Sequence, residues 1–334
     1  MTNLSAVLHS PHDLRIEDRA IPEPGPGQVQ VAVEAVGICG SDVHYYEHGR
    51  IGPHVVRAPM IVGHESAGRI TAVGAGVAPD RVGTLVALEP GVPCRRCEQC
   101  RAGRYNLCPD VQFFATPPVD GSMAQYVVVD ADFAVPAPPS LDAATAAMAE
   151  PVSVAVWACR RAGVTAGESV LVTGAGPVGL FCGQVARALG AGPVYVTDIN
   201  EHRLGVAEKV GLRPLPAGTG PDTDADVLLE CSGSPVALKA GFTSVARAGR
   251  VVLIGMGGDE VTLDLSRIQN RELWITGTFR YANTYPAALD LIAGGRVDVG
   301  SIISHRFPLA DSEQALTLAK TDATSLKAVV EPWR

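Results

Sequence analysis

Three groups of residues in this chain have types and spacings suited to chemistry. The first is "GHESAG", residues 63–68, which sets His64 directly beside Glu65 in an apolar run that begins "MIV". Successive side chains on a strand point to opposite faces. An imidazole and a carboxylate at adjacent positions reach one metal only where the backbone leaves regular strand geometry. The flanking Gly63 and Gly68 predict such a departure. The second group is "CRRCEQCRAGRYNLC", residues 94–108, with the spacing C-x2-C-x2-C-x7-C. Cys94, Cys97, Cys100 and Cys108 supply four thiolates, which close a tetrahedral shell and leave no open position, as in a structural zinc site. An iron–sulfur cluster is the alternative, because C-x2-C-x2-C also opens the bacterial ferredoxin run and Pro109 follows Cys108. That run needs three residues before its last cysteine, not seven, so zinc is preferred.

The third group is "GAGPVG", residues 174–179, which fits G-x-G-x-x-G. The pattern alone is weak. Here it follows the strand-like "SVLVT" and opens a helical stretch, and a second strand, "PVYVTD", ends in Asp198, 19 residues after Gly179. That is the context a dinucleotide fingerprint requires. Gly174 permits a tight turn, Gly176 lets backbone approach a pyrophosphate, and Gly179 lets helix and strand pack closely. The helix N-terminus offers free N–H groups to the phosphates. A carboxylate at Asp198 accepts both ribose hydroxyls and repels a 2′-phosphate, which favours NAD over NADP. Arg203, five residues on, keeps NADP open.

These groups need two kinds of scaffold. Up to about residue 150 the chain reads as short strands: "GQVQVAVEAVGICG" alternates with period two, and "ITAVGAGV", "VGTLVALEP" and "AQYVVVDADFAVP" continue the pattern between dense Pro and Gly punctuation. "PPSLDAATAAMAE" turns helical, with Ser140 as the expected N-cap. Beyond it, "SVLVT", "PVYVTD", "ADVLLECSG", "RVVLIGMGG" and "LWITGTF" alternate with helical stretches, which predicts a parallel sheet. After Phe279 come two more helical stretches and a closing strand, "SLKAVVEP".

A length of 334 residues suggests two domains, and 47% hydrophobic residues leave ample material for a core. A formal charge of −8 argues against nucleic acid or an anionic membrane as main partner. The start lacks an apolar signal core and no spanning run occurs, so a cytoplasmic protein is expected. Of eight cysteines, four cluster at 94–108, which favours a metal over disulfides. Cys159, Cys182 and Cys231 read as small buried apolar residues.

Together, "GICGSDVHYY" (37–46), "GHESAG", "ALEPGVPCRRCEQC" (87–100), "FFATPPVDGS" (113–122), "MAEPVSVAVWACRRAGV" (148–164), "VTGAGPVG" (172–179) and "GTFRYANTYPAALDLI" (277–292) resemble the zinc-dependent medium-chain dehydrogenases, in particular the polyol branch of the sorbitol and xylitol type. The resemblance implies an α/β architecture: a GroES-like β-rich catalytic domain over 1–151, with a C-terminal return over 281–334, and a doubly wound parallel-sheet Rossmann domain over 152–280. It implies a catalytic zinc held by Cys39, His64 and Glu65, with Glu150 reaching it through water, beside the structural zinc of the four cysteines. It implies a proton relay through Ser41 and His44, and polyol contacts from Tyr45, Glu150, Arg280 and Tyr281. NAD would meet Gly174, Gly176, Pro177, Val178, Gly179, Asp198, Arg203, Ile254, Gly255, Met256, Thr278, Phe279 and Arg280.

The implied reaction is hydride transfer from a secondary hydroxyl of a polyol to NAD, giving a ketose, with Zn²⁺ as Lewis acid on the hydroxyl and the cofactor carrying the redox chemistry. The implied assembly is a homo-oligomer, a tetramer before a dimer. From the residues alone, His44 also reads as a surface histidine, and Tyr45 and Tyr281 as packing residues. Dehydrogenases of butanediol or threonine with the same fold, and a catalytically silent NAD-binding sensor, are the competing readings. The segment 211–226 departs from the family, whose members carry an additional strand and helix there.

Overall fold

The computed structural model describes residues 2–258 and 260–334. The chain divides into two compact units, Met1–Glu150 with Ile303–Arg334, and Pro151–Ile302. The return to the first unit therefore begins at Ile303 and not at 281. The reason lies in the helix Tyr285–Ala293, which belongs to the second unit and buries Tyr285, Ala288 and Leu289.

The first unit is built on the strand Gln28–Gly37. Its period-two pattern places Val29, Val31 and Val33 in the core at 0% exposure, as expected for a sheet with one buried face. One edge of this strand pairs antiparallel with Glu65–Val73, which continues to Leu85–Leu88 and Ala134–Pro136. The other edge is shared. Tyr126–Asp130 pairs with residues 28–32, and Lys327–Glu331 pairs with Val36 and Gly37. The C-terminal segment thus completes the sheet at the end where Cys39 begins.

The second unit holds six parallel strands: Val170–Thr173, Val194–Asp198, Arg213–Pro216, Ala225–Glu230, Val245–Leu253 and Trp274–Gly277. Counted in chain order, they lie side by side as 3-2-1-4-5-6. Every pairing is parallel. The order reverses beside the first strand, and right-handed crossovers then send the connecting helices to opposite faces. Ligands bind at such a reversal, outside the carboxyl ends of the strands.

Two expectations need correction. The helix Ala143–Ala147 is capped by Asp142, whose carboxylate accepts the Thr145 N–H at 2.8 Å, and not by Ser140. In the short segment 211–226 the edge strand Arg213–Pro216 is present. Among the described residues, no helix joins it to Ala225–Glu230. No helix among them is long and apolar enough to cross a membrane.

Candidate active site

Cys39 is the N-cap of the helix Gly40–His48, which carries Ser41, His44 and Tyr45. The buried Asp42, three residues past the cap, ties this helix to the GHE segment. Its Oδ2 accepts the Cys39 N–H at 3.1 Å and its Oδ1 accepts the Gly63 N–H at 3.0 Å. Gly63 adopts φ 86°, and a Cβ there would lie 2.9 Å from Val36 Cγ1. This left-handed residue supplies the predicted departure from strand geometry. It lets His64, just outside the strand, and Glu65, its first residue, turn toward the same point. Gly68 lies inside the strand Glu65–Val73, opposite Val33 beside a bulge between Val33 and Ala35, three residues past Glu65 and outside the turn at Gly63.

The donor atoms of Cys39, His64 and Glu65 lie within 4.8 Å of one another. Thiolate, imidazole and carboxylate suit zinc, and three protein donors leave a coordination position for substrate. His64 Nδ1 faces Asp42 Oδ1 at 3.4 Å, which orients the ring and leaves Nε2 as the donor nitrogen. Burial alone would favour a neutral His64, but the Asp42 charge and the Cys39 sulfur outweigh it and raise the pKa well above the ordinary value. Burial likewise pushes Asp42 up, yet His64 and the two backbone N–H groups leave its carboxyl below the usual range. Glu150 is buried in the first turn of the helix Ala149–Ala162.

Two charged residues of this site are not among the candidates drawn from the sequence. Lys327 is 3% exposed, and its Nζ donates to Glu65 Oε1 and Oε2 at 2.8 Å each and to the Ile38 carbonyl at 2.9 Å. Burial works against its charge, but Glu65, Cys39 and Glu150 together hold the pKa above the ordinary lysine value. The pair has room because Gly37, opposite Glu65, has no side chain: a Cβ there would sit 2.2 Å from Glu65 Oε2. Asp42 is the other. The one sequence signal for Lys327 is a lysine inside the apolar run "LKAVV".

Ser41 is half-buried, and His44 is exposed with its Nδ1–H donating to the Arg50 carbonyl at 2.9 Å. Tyr45 is buried at 4% exposure. The four cysteines at 94–108 also converge within 4.8 Å. Backbone N–H groups of Cys94, Cys97 and Cys100 point at the sulfurs of Cys108, Cys94 and Cys97, at 3.3, 3.4 and 3.4 Å. Bonds from the N–H groups of Arg96 and Cys97 bring the Cys94 thiol down to about 7, whereas burial and its neighbouring thiols push Cys100 up to about 12. Four thiols this crowded need a cation before all can ionise, and a tetrahedral zinc meets that need.

In the second unit, a cavity of about 420 Å³ opens at the carboxyl ends of the first strands, lined by Gly174, Gly176, Asp198, Arg203, Ser232 and Val236 among others. Gly176 caps the helix Pro177–Ala188, and a Cβ there would meet nothing within 4 Å, so backbone is open to a ligand. A Cβ at Gly179 would strike the Gly174 carbonyl oxygen at 1.9 Å, which is the close helix–strand approach the motif requires. Pro177 and Val178 form the first turn of that helix. Ile254, Gly255 and Met256 follow the fifth strand, and Thr278, Phe279 and Arg280 follow the sixth, outside that cavity. Arg280 takes a left-handed φ of 52° with its guanidinium 4.8 Å from the Phe279 ring centre, and Tyr281 is buried.

Residues 25–139 match the family model of the alcohol dehydrogenase GroES-like domain, and residues 177–294 that of the zinc-binding dehydrogenase. A sorbitol dehydrogenase of Bacillus subtilis is 42% identical over 344 residues, covering 99% of this chain and 97% of its own. A sorbitol dehydrogenase of Gallus gallus is 41% identical over 331 residues, covering 95% and 93%. The solved structure of an Escherichia coli oxidoreductase/dehydrogenase of unknown specificity superposes with a TM-score of 0.94 at 35% identity, over 99% of both chains. Metal donors that converge in a β-rich unit, a dinucleotide crevice in a parallel sheet and these full-length likenesses lead to one assignment: the chain belongs to the zinc-dependent medium-chain dehydrogenases, in their polyol dehydrogenase branch.

Proposed function

We propose that this NAD- and zinc-dependent dehydrogenase oxidises a secondary hydroxyl of an open-chain polyol such as sorbitol or xylitol to the ketose. The observation that carries the reading is the convergence of Cys39, His64 and Glu65 within 4.8 Å, with the carboxylate of Glu150 buried in the same unit. When bound, zinc supplies Lewis acidity to the substrate hydroxyl and NAD accepts the hydride. The chain's own residues do the rest. Ser41 takes the hydroxyl proton. His44 receives it at Nε2, because its Nδ1–H is committed to the Arg50 carbonyl, and its exposure lets the proton leave to solvent. Glu150 accepts a hydrogen bond from the neighbouring hydroxyl, which a simple alcohol lacks. Tyr45, on the helix Gly40–His48, contacts the rest of the polyol. Gly174, Gly176, Gly179, Asp198 and the residues after the fifth and sixth strands of the second unit, Ile254 to Met256 and Thr278 to Arg280, hold NAD, with Arg203 near Asp198.

In the same reading the enzyme is a cytoplasmic homo-oligomer, a tetramer before a dimer. None of the eight cysteines is in a disulfide, which suits a reducing compartment. The test is a panel of sorbitol, xylitol, ribitol, arabitols, 2,3-butanediol and threonine, each with NAD and with NADP. Polyols with NAD should give the highest kcat/KM, and Cys39→Ser should be inactive on all of them while retaining its circular dichroism. A higher kcat/KM on butanediol or threonine overturns the polyol assignment.

A further inference from the structure

Lys327 is fully buried, yet no step of the proposed reaction uses it. Its ammonium stands at equal distance, 2.8 Å, from both oxygens of Glu65, and the Ile38 carbonyl fixes it there at 2.9 Å. It comes from the returning strand Lys327–Glu331, which pairs with the end of Gln28–Gly37, while Glu65 stands on the opposite side of that central strand. The carboxylate reaches the lysine over the missing side chain of Gly37. An ammonium shared between two oxygens occupies the side on which a carboxylate would grip a metal with both. It also draws off part of the charge that the carboxylate would otherwise donate.

We infer that Lys327 is a positioning residue that limits Glu65 to one-oxygen donation toward zinc, and so keeps the active-site metal loosely held and strongly electrophilic. The inference rests on the zinc reading of Cys39, His64 and Glu65. Its sign runs against intuition. Removing one partner of a buried pair leaves an uncompensated charge. Here the cost falls on the protein without metal, because bound zinc neutralises Glu65 by itself. The loaded state then gains relative to the stripped state, and zinc is held more tightly. A lysine that merely braced the site would give the opposite result.

The experiment compares the parent holoenzyme with Lys327→Met and Lys327→Arg. Zinc release into the chelator dipicolinate is followed by metal analysis, and the Co²⁺-substituted enzymes are compared by their d–d absorption. Lys327→Met should release the active-site zinc at least about tenfold more slowly. Its Co²⁺ bands should weaken, as expected when a second carboxylate oxygen raises the coordination number. kcat should fall with little change in KM. Lys327→Arg keeps a cation on both oxygens and should match the parent in metal release and spectrum. Equal or faster zinc loss from Lys327→Met, with an unchanged Co²⁺ spectrum, overturns the inference. If Lys327→Met does not fold, Lys327→Gln carries the same expectations. A parent that retains zinc only at the four cysteines refutes the zinc reading itself, which is a different outcome.

Discussion

The Asp198 carboxylate accepts the backbone N–H of Ala175 at 2.7 Å and of Asn200 at 2.9 Å. It therefore staples the glycine loop to the end of its own strand, at the position proposed for the ribose. Asp198→Ala removes two charge-assisted bonds, each of about 1.5–3 kcal/mol, together with the charge that repels a 2′-phosphate. The KM for NAD should rise at least about tenfold, and the kcat/KM ratio of NAD to NADP should fall. An unchanged ratio would show that another group selects the cofactor. The same scale explains what was legible in the sequence. The four cysteines stand in one short motif whose spacing alone brings their donors close, whereas Cys39 meets His64 and Glu65 across 25 residues and was legible only through the family resemblance. Lys327 meets Glu65 across 262 residues of chain, and no local pattern reports a contact of that separation. Asp42 lay inside a motif that was read, but its work is done through backbone N–H groups, which a list of side chains does not display.

Among the elements, the helix Gly40–His48 matters most, because its N-cap is a proposed metal donor and its body carries Ser41 and His44 of the proposed relay. It is anchored by Tyr46, whose hydroxyl donates to Glu313 Oε1 at 2.6 Å on the returning helix Ser312–Thr321. Burial, with the Glu313 bond and charge added, pushes the Tyr46 phenol up to about 12 from 10.0. A raised folded pKa means that this contribution to stability is complete below pH 10 and is lost as pH climbs from 10 toward 12. Tyr46→Phe should cost about 1–2 kcal/mol at neutral pH. In thermal melts, the gap between parent and variant should close between pH 10 and 12; a gap that widens there would refute the account. The strand Gln28–Gly37 was readable from its period of two, whereas the helix Gly40–His48 was not read from periodicity. The cap at Asp142 was not legible either, since Ser140 and Asp142 both suit an N-cap and only the fold shows which carries the first N–H.

At the scale of the whole molecule, a parallel sheet followed from the alternation of strands and helices, whereas its order 3-2-1-4-5-6 and the point of return to the first unit did not. The helix Tyr285–Ala293 is apolar on the side it buries, and either unit could have offered it a partner surface. The returning strand places Val329 and Val330 in the first unit's core at 0% exposure. A chain ending before Lys327 should therefore lose turnover and both metals. Its second unit holds the cofactor crevice and its own core of Leu171, Leu228, Phe242 and Val251, so NADH fluorescence enhancement should persist. Two zinc ions per truncated chain would contradict this division of labour.

The late position of Lys327 also orders events during translation. Domains fold as they leave the ribosome, and synthesis adds about 5–20 residues each second. Residues 151–302, the whole second unit, precede the strand Lys327–Glu331 in synthesis. The cofactor crevice can thus form on a nascent chain whose metal donors still lack their counter-charge. Ribosomes that stall before Lys327 would release products able to bind dinucleotide but unable to turn over substrate, so the step from a dinucleotide binder to an enzyme waits on the strand Lys327–Glu331.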